Sequence, residues 1–415
     1  MGTIYLYEDE GYRKLLPLTW TRPSYDLKCG INSLKGKVLR EYEGNDFILL
    51  TRDYLAEVTA EENPDVKVNQ YPSEAGLFLN GRVLARGLSG AVSVDGEDCV
   101  YKSGDQVVAV RVSGANFKSL TDSISDGVLS EIPSDLPVQE VEATLVKYSW
   151  DLVHHNPDEI TAEFEAFFTA GIEGKVYPGA TLVNEARIRV AAGATIKPGA
   201  ILDAEAGPIV IDEGATVMAN AFIEGPCYIG PNTLVKVGAK IYEGTSVGEW
   251  CKVGGEVEES IFHSYSNKQH DGFLGHAYLG MWINIGADTN NSDLKNNYGS
   301  VKAWVDGEMI DSGSLFVGLT MGDHSKSGIN TMFNTGTVVG FACNVYGTGF
   351  PDKFVPSFSW GGAEGLVEFR LDKMLETAER MMARRKRDLT DAQEKMIKKV
   401  FELTAAEREA VLGKQ

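Results

Sequence analysis

The chain has 415 residues, 43% hydrophobic and 24% charged, the balance of a soluble globular protein with room for two or three domains. Its 39 basic and 59 acidic side chains leave a net charge of -20, which opposes broad binding to nucleic acid or to an anionic membrane surface. No apolar run reaches membrane-spanning length, the N-terminus carries Glu8, Asp9 and Glu10 in place of a signal peptide, and the five cysteines are scattered without a CxxC pair, so a reduced cytoplasm is the expected setting.

Thr3 to Tyr7 reads as a short strand, and Phe47–Leu50, Gly76–Leu79 and Val107–Val112 are apolar runs suited to buried strands. Strands alternating with polar helical stretches predict an α/β domain over residues 1–150. Helical spacing and acidic character then predict a helical connector over 151–171.

Residues 172–362 carry the strongest pattern. A loose six-residue period starts near Val176 and returns at Val190, Ile196 and Leu202. It becomes strict at Ile211, Val217, Ile223, Ile229, Val235, Ile241, Val247 and Val253, all apolar and β-branched. Three positions later stand mostly turn formers, such as Gly214, Asn220, Asn232, Gly238 and Gly244. This is the hexapeptide signature of a parallel β-helix, in which three hexads close one triangular coil. After Val253 the period slips, and it is expected to resume at Phe273, Leu279 and Ile285 before a polar loop from Asn290 to Gly299. Residues 363–415 change to helix formers. Thr390 with Gln393, and Thr404 with Glu407, have capping-box spacing, so about three short helices are expected. Arg384 to Arg387 suits the C-terminal end of the first, with contact to a phosphate-bearing ligand as the alternative. The expected fold is thus an α/β N-terminal domain, a left-handed parallel β-helix of hexapeptide repeats and a C-terminal helical tail.

A solenoid buries its own interior, so ligands must sit outside it or between subunits, and departures from the period mark where to look. Four of the six histidines (His263, His270, His276 and His324) lie in the irregular part. Histidine suits a general base because its ordinary pKa of about 6.5 lies near neutrality. His263 reads as a surface residue, whereas His270 sits where the period fails.

The stretch from Cys227-Tyr228-Ile229-Gly230-Pro231 to Asn284-Ile285-Gly286-Ala287 resembles the acetyltransferase half of the bacterial bifunctional glucosamine-1-phosphate acetyltransferase / N-acetylglucosamine-1-phosphate uridylyltransferase family. Aligned on Asn284 to Ala287, the resemblance places the catalytic base on His270, with His276 a weaker candidate, and a sugar-binding asparagine on Asn284. It puts Lys236 in place of a phosphate-holding arginine, Asn297-Tyr298-Gly299 at a second acceptor-binding element and Lys302 after it. Phe273 stands where the family has a tyrosine, and Gly254 where it has a phosphate-binding lysine. Acetyl-CoA is expected between neighbouring solenoids of a homotrimer, near Gly318, Ser325, Lys326 and Gly336.

Val253 to Glu259, Ser266 to His276 and Gly322 to Thr331 are more similar still to a branch of sugar-nucleotidyltransferase-like proteins, a likeness that reaches Leu16-Pro17-Leu18-Thr19, Arg22-Pro23 and Asn80-Gly81-Arg82. That implies a sugar phosphate or sugar nucleotide as substrate, with Arg22, Lys28 and Arg82 as possible contacts. The first domain departs from the family: Tyr7 to Lys14 offers one glycine where a phosphate loop needs several, and Asn80 follows Leu79 where a metal-binding aspartate is expected. An acetyl-CoA-dependent sugar N-acetyltransferase is therefore the leading expectation, with no resident metal. Nucleotidyl transfer by the first domain with Mg²⁺ is the second. A Zn²⁺ hydratase with His270 and His276 from two subunits, and a non-catalytic sugar-phosphate-binding scaffold, complete the alternatives.

Overall fold

The computed structural model describes residues 2–412. The N-terminal domain is built on a seven-stranded sheet in the order Val138–Glu140, Cys99–Ser103, Gln106–Ser113, Ala75–Asn80, Thr3–Tyr7, Asp46–Leu49, Lys67–Val68. Thr3–Tyr7 runs parallel to both neighbours, and Gln106–Ser113 is antiparallel to its own. Alternate residues of the central strands feed two cores, Ile4, Leu6, Leu77 and Leu79 on one face and Tyr5, Tyr7, Phe78 and Val110 on the other.

The connector is the helix Ser149–Phe167. It is held to both neighbours by buried polar groups. The amide of Gly30 donates to Asn156 Oδ1 at 2.6 Å, and Asn156 Nδ2 donates to the Gly244 carbonyl at 2.7 Å. Lys37 lies 2.8 Å from Glu159 and 2.9 Å from Glu163, all of them buried. A buried lysine between two carboxylates fixes the domain's orientation on the helix, because losing either partner strands a charge away from water.

The solenoid has three parallel faces. The first is a ten-stranded sheet from Gly171–Ile172 to Phe354–Val355. The second runs from Lys175–Val176 to Asn267–Lys268 and continues through bridges at Asn284 to Lys326–Ser327 and Asn344–Val345. The third runs from Thr181–Val183 to Phe273–Gly275. The hexad residues stack in register: Ile211, Ile229 and Val247 on the first face, Val217, Val235 and Val253 on the second, Ile223 and Ile241 on the third. All are fully buried in one continuous core.

The register after Val253 differs from the sequence expectation. Val257 stacks below Ile241, Phe262 below Val247, and Leu274 below Val257, so the inward residue is Leu274 and Phe273 faces outward. The coil is shortened at two corners, which a count of sixes cannot foresee. A segment beyond Asn290–Asn291 leaves the solenoid, forms the hairpin Lys302–Val305 with Glu308–Asp311, and returns at Thr320–Met321.

Three tail helices follow, Leu371–Ala383, Asp391–Leu403 and Ala405–Leu412. Thr390 and Gln393 form the expected capping box. Thr404 and Glu407 bond elsewhere: the Thr404 hydroxyl donates to the Val400 carbonyl at 2.7 Å, and Glu407 accepts the Ser357 amide at 2.9 Å. The tail covers the corner between the first and second faces. Trp250, Tyr265, Trp282, His324 and Phe358 each adopt positive φ there, and Met382 packs on Tyr265 and Trp282.

Candidate active site

The second face carries a row of outward side chains on successive coils. Lys252 is the register partner of Asn267, Asn267 bridges to Asn284, and Asn284 bridges to Lys326. Neighbouring strands are about 4.8 Å apart, so the four side chains form a short ladder. Lys236 follows the inward Val235 one coil before Val253. Three expected site residues, Lys236, Asn284 and Lys326, thus share one face, and all are half-buried.

His270 lies at the corner between the second and third faces, between Asn267–Lys268 and Phe273–Gly275. It is exposed, and its ring makes no hydrogen bond among the described residues. The corner is fixed from beneath. Lys268 occupies the inward position that Val253 fills one coil earlier, is 1% exposed, and donates from Nζ to the His270 carbonyl at 2.6 Å. Burial pushes its ammonium down to about 8 against the pull of Asp271 and Asp288. Sequence reading missed Lys268, because a count of sixes from Val253 does not reach it and only the shortened coil puts it in that column. Phe273 opens the third face, half-buried, with its amide donating to Asn290 Oδ1 at 2.8 Å.

His276 stands at the next corner, between the third and first faces, with φ +45°. Its Nδ1 lies 2.9 Å from Asp293 and its Nε2 3.1 Å from Glu259, and the ring stacks on Phe316 at 4.9 Å. Burial opposes its charged form, but the two carboxylates outweigh it and raise its pKa to about 9. With both N–H groups donated to carboxylates, His276 is a cation at neutral pH and has no lone pair for a substrate proton. Its expected role as an alternative base gives way to a structural one. It pins the excursion beyond Asn291 to the solenoid through Asp293 and through its carbonyl, which accepts the Gly318 amide at 3.0 Å.

The remaining expected residues separate into other places. Asn297, Tyr298 and Lys302 lie on the excursion; all three are exposed, Tyr298 71% so. Gly318 and Gly336 are packing glycines near the third-to-first corner. An added Cβ would fall 1.9 Å from the Gly275 carbonyl at Gly318, and 2.8 Å from the Lys302 carbonyl at Gly336. Ser325 is fully buried, with its hydroxyl donating to Gly340 at 2.7 Å and accepting from the Cys343 amide at 2.9 Å. Ser325, Gly318 and Gly336 are thus buried positions, and within one chain they do not line a groove with Lys326. Lys326 Nζ donates to the His324 carbonyl at 2.7 Å, and burial lowers its pKa to about 8. His263 is not a free surface group. Its Nε2 contacts the Asp26 carbonyl at 3.0 Å, and burial, with Arg22 and Lys28 nearby, holds its pKa well below the usual value.

In the N-terminal domain two of the three expected sugar-phosphate contacts, Arg22 and Arg82, are already occupied. Arg22 is 5% exposed and forms a two-pronged ion pair with Asp323 of the solenoid, whose carboxylate also accepts from Thr21 at 2.7 Å and from the Met281 amide at 2.8 Å. Arg82 binds both oxygens of Asp9, at 2.8 and 2.7 Å, and donates to the Val146 carbonyl at 2.7 Å. Where a phosphate loop would lie, Glu10–Leu15 is a 3-10 helix, and an added Cβ at Gly11 would fall 2.4 Å from Arg82 Nε. Asn80 Nδ2 donates to Asp9 at 2.9 Å. Lys28 lines a cleft of about 770 Å³ between domain, solenoid and tail, with its amide donating to the Tyr278 hydroxyl at 2.8 Å. No group of three His, Cys, Asp or Glu side chains gathers to hold a metal among the described residues. No helix among the described residues is long and apolar enough to cross a membrane.

Residues 4–171 match the sugar nucleotidyl transferase family. A bifunctional sugar-1-phosphate nucleotidylyltransferase/acetyltransferase of Sulfurisphaera tokodaii is 30% identical over 146 residues, covering 34% of this chain and 35% of the relative. The bifunctional protein GlmU of Heliobacterium modesticaldum is 27% identical over 167 residues, covering 40% and 35%. The chain therefore spans about a third of the length of the curated relatives it matches. Among solved structures, a UDP-N-acetylglucosamine acyltransferase from Campylobacter jejuni aligns with 56% of this chain and 83% of its own, at 15% identity and a TM-score of 0.29. The chain thus joins a domain that matches the sugar nucleotidyl transferase family to a hexapeptide-repeat solenoid, and it resembles the bifunctional nucleotidylyltransferase/acetyltransferases.

Proposed function

We propose that this chain is an acetyl-CoA-dependent N-acetyltransferase of an amino-sugar phosphate or sugar nucleotide, working as a cytoplasmic homotrimer. The observation that carries the reading is His270: an exposed ring with no hydrogen-bond partner among the described residues, on a corner braced by the buried Lys268, beside the ladder of Lys252, Asn267, Asn284 and Lys326. His270 accepts a proton from the acceptor's amine as its nitrogen bonds to the thioester carbonyl carbon. Backbone amides, with Asn297, stabilise the oxyanion, and the proton leaves with the thiol as the C–S bond breaks. Asn284 and Lys236 hold the sugar and its phosphate. Asn297, Tyr298 and Lys302 lie on a different edge of the same solenoid from His270, so a neighbouring subunit presenting that edge would complete the site; this supports the trimer. The test is CoA thiol release from acetyl-CoA with a panel headed by glucosamine 1-phosphate, and a wild-type protein inactive on every amino sugar of the panel would refute the reading.

Nucleotidyl transfer is the second reading, favoured by the family match of residues 4–171. Against it stand Asp9, held by Arg82 and Asn80, and the 3-10 helix in place of a phosphate loop. Residues arranged in this way do not fit Mg²⁺. The hydratase reading needs ring nitrogens from His276, and both face carboxylates.

A further inference from the structure

The basic turn Arg384 to Arg387 follows the helix Leu371–Ala383, where attraction to the helix C-terminus favours it. That attraction does not explain where the turn is placed. Met382 packs on Tyr265 and Trp282, and Arg387 donates to the Tyr265 hydroxyl at 3.0 Å. So anchored, the turn reaches the second face of the solenoid, and Arg385 Nη2 donates to Asn267 Oδ1 at 3.0 Å. Asn267 is the register partner of Lys252 and neighbour to Asn284. Besides burial, the influences on Lys252 are the charges of Arg385, Lys236 and Arg384, all cationic, and they lower its pKa.

None of these four cations forms an ion pair among the described residues. In a chain of net charge -20, four unpaired cations from two distant parts of the sequence meet on one face. Like charges brought together repel, and no carboxylate pairs with any of the four among the described residues, so the arrangement is poised for an anion. Gly254 keeps the floor low: an added Cβ there would lie 3.0 Å from Lys236 Cβ and 2.8 Å from the Gln269 carbonyl. Arginine's planar fork and two flanking amide side chains, Asn267 and Asn284, suit the three oxygens of a phosphate.

We infer that Arg384 and Arg385 of the tail, with Lys236 and Lys252 of the solenoid, form a phosphate-binding site that the tail completes in cis. The site deepens the acetyltransferase reading and rests on it only for the identity of the ligand: the phosphate belongs to the acceptor sugar, while the phosphates of CoA are the other source of the same chemistry. The tail arginines then serve where Gly254 offers no side chain.

The experiment is calorimetric titration of the full chain with glucosamine 1-phosphate, glucosamine and CoA. The wild type is expected to bind glucosamine 1-phosphate more tightly than glucosamine, and added salt to weaken that preference. R384A/R385A should weaken glucosamine 1-phosphate binding about tenfold or more while glucosamine is unaffected. A loss confined to CoA assigns the site to the donor's phosphates and still supports it. Lys252→Ala, made from the solenoid side, decides the matter if the tail variant does not fold. Arg380→Ala, an exposed residue 3.4 Å from Glu376, is the charge control and should bind as wild type. Unchanged affinities in R384A/R385A and Lys252→Ala, an equal loss in Arg380→Ala, or a wild type that prefers neither phosphate-bearing probe would overturn the site. Phosphate binding that depends on the arginines, without acetyl transfer, would refute only the acetyltransferase reading. Acetyl transfer with binding indifferent to the arginines would refute only this one.

Discussion

The N-terminal domain and the solenoid both present cations in motifs that read as ligand contacts, and the structure treats them in opposite ways. Arg22 and Arg82 are each closed onto a carboxylate, Asp323 and Asp9, with side chains only 5% and 6% exposed. Lys236, Lys252 and Arg385 stay unpaired on an accessible face among the described residues. The histidines divide in the same way: His276 lies between two acids, whereas the His270 ring has no hydrogen-bond partner among the described residues. A buried, neutralised charge holds parts together; an exposed one without a partner is available to a ligand. By that measure Arg22 and Arg82 are architecture, and the acetyl transfer proposed above is assigned to the solenoid.

The comparison can be broken in several ways. The largest expected effect is on His270→Ala, which should lower kcat for acetyl transfer by about 10²–10⁴-fold. Its melting temperature should not change, since the ring is exposed and makes no hydrogen bond among the described residues; an unchanged rate would remove His270 from the chemistry. Next, Arg22→Ala should cost about 3 kcal/mol or more in urea denaturation, because it strands Asp323 in the interface. A loss below about 1 kcal/mol would mean that the pair does not hold domain to solenoid.

A pH series sharpens the contrast between the histidines. The pKa of His276 rises from 6.5 unfolded to about 9 folded. The native state therefore binds the proton more tightly, so this stabilisation is complete below about 6.5 and fades as pH rises through about 9. The difference in stability between wild type and His276→Asn should be on the order of 3 kcal/mol at pH 6 and nearly gone above pH 9, as each pKa unit is worth about 1.4 kcal/mol. A difference independent of pH would contradict the ion-pair assignment. Smallest is Arg13→Ala. Arg13 meets Asp306 at 2.9 Å across the same two regions, but its side chain is 48% exposed, so its loss should stay within about 0.5 kcal/mol.

Much of this was legible in sequence where the code is local. The hexad from Ile211 to Val253 sets both strand and inward face, because one β-branched residue per six must fill the same column. The capping box at Thr390 is equally local. The exposed corner that carries His270 was findable because the period breaks there. What stayed hidden depends on distant partners. Nothing near Arg22 announces Asp323, and nothing near Arg385 announces Asn267. Lys268 sits at an inward position that only the shortened coil creates. Ser325 looked available because its burial is set by Gly340 and Cys343 of the next coil.

The central claim, that catalysis lies on the solenoid and not in the first domain, is tested most directly by one paired assay of the full wild-type chain. CoA release from acetyl-CoA with glucosamine 1-phosphate is followed beside pyrophosphate release from an NTP, Mg²⁺ and a sugar 1-phosphate. The account predicts acceptor-dependent CoA release with pyrophosphate at the level of the protein-free blank. Robust Mg²⁺-dependent pyrophosphate release without acetyl transfer would contradict it.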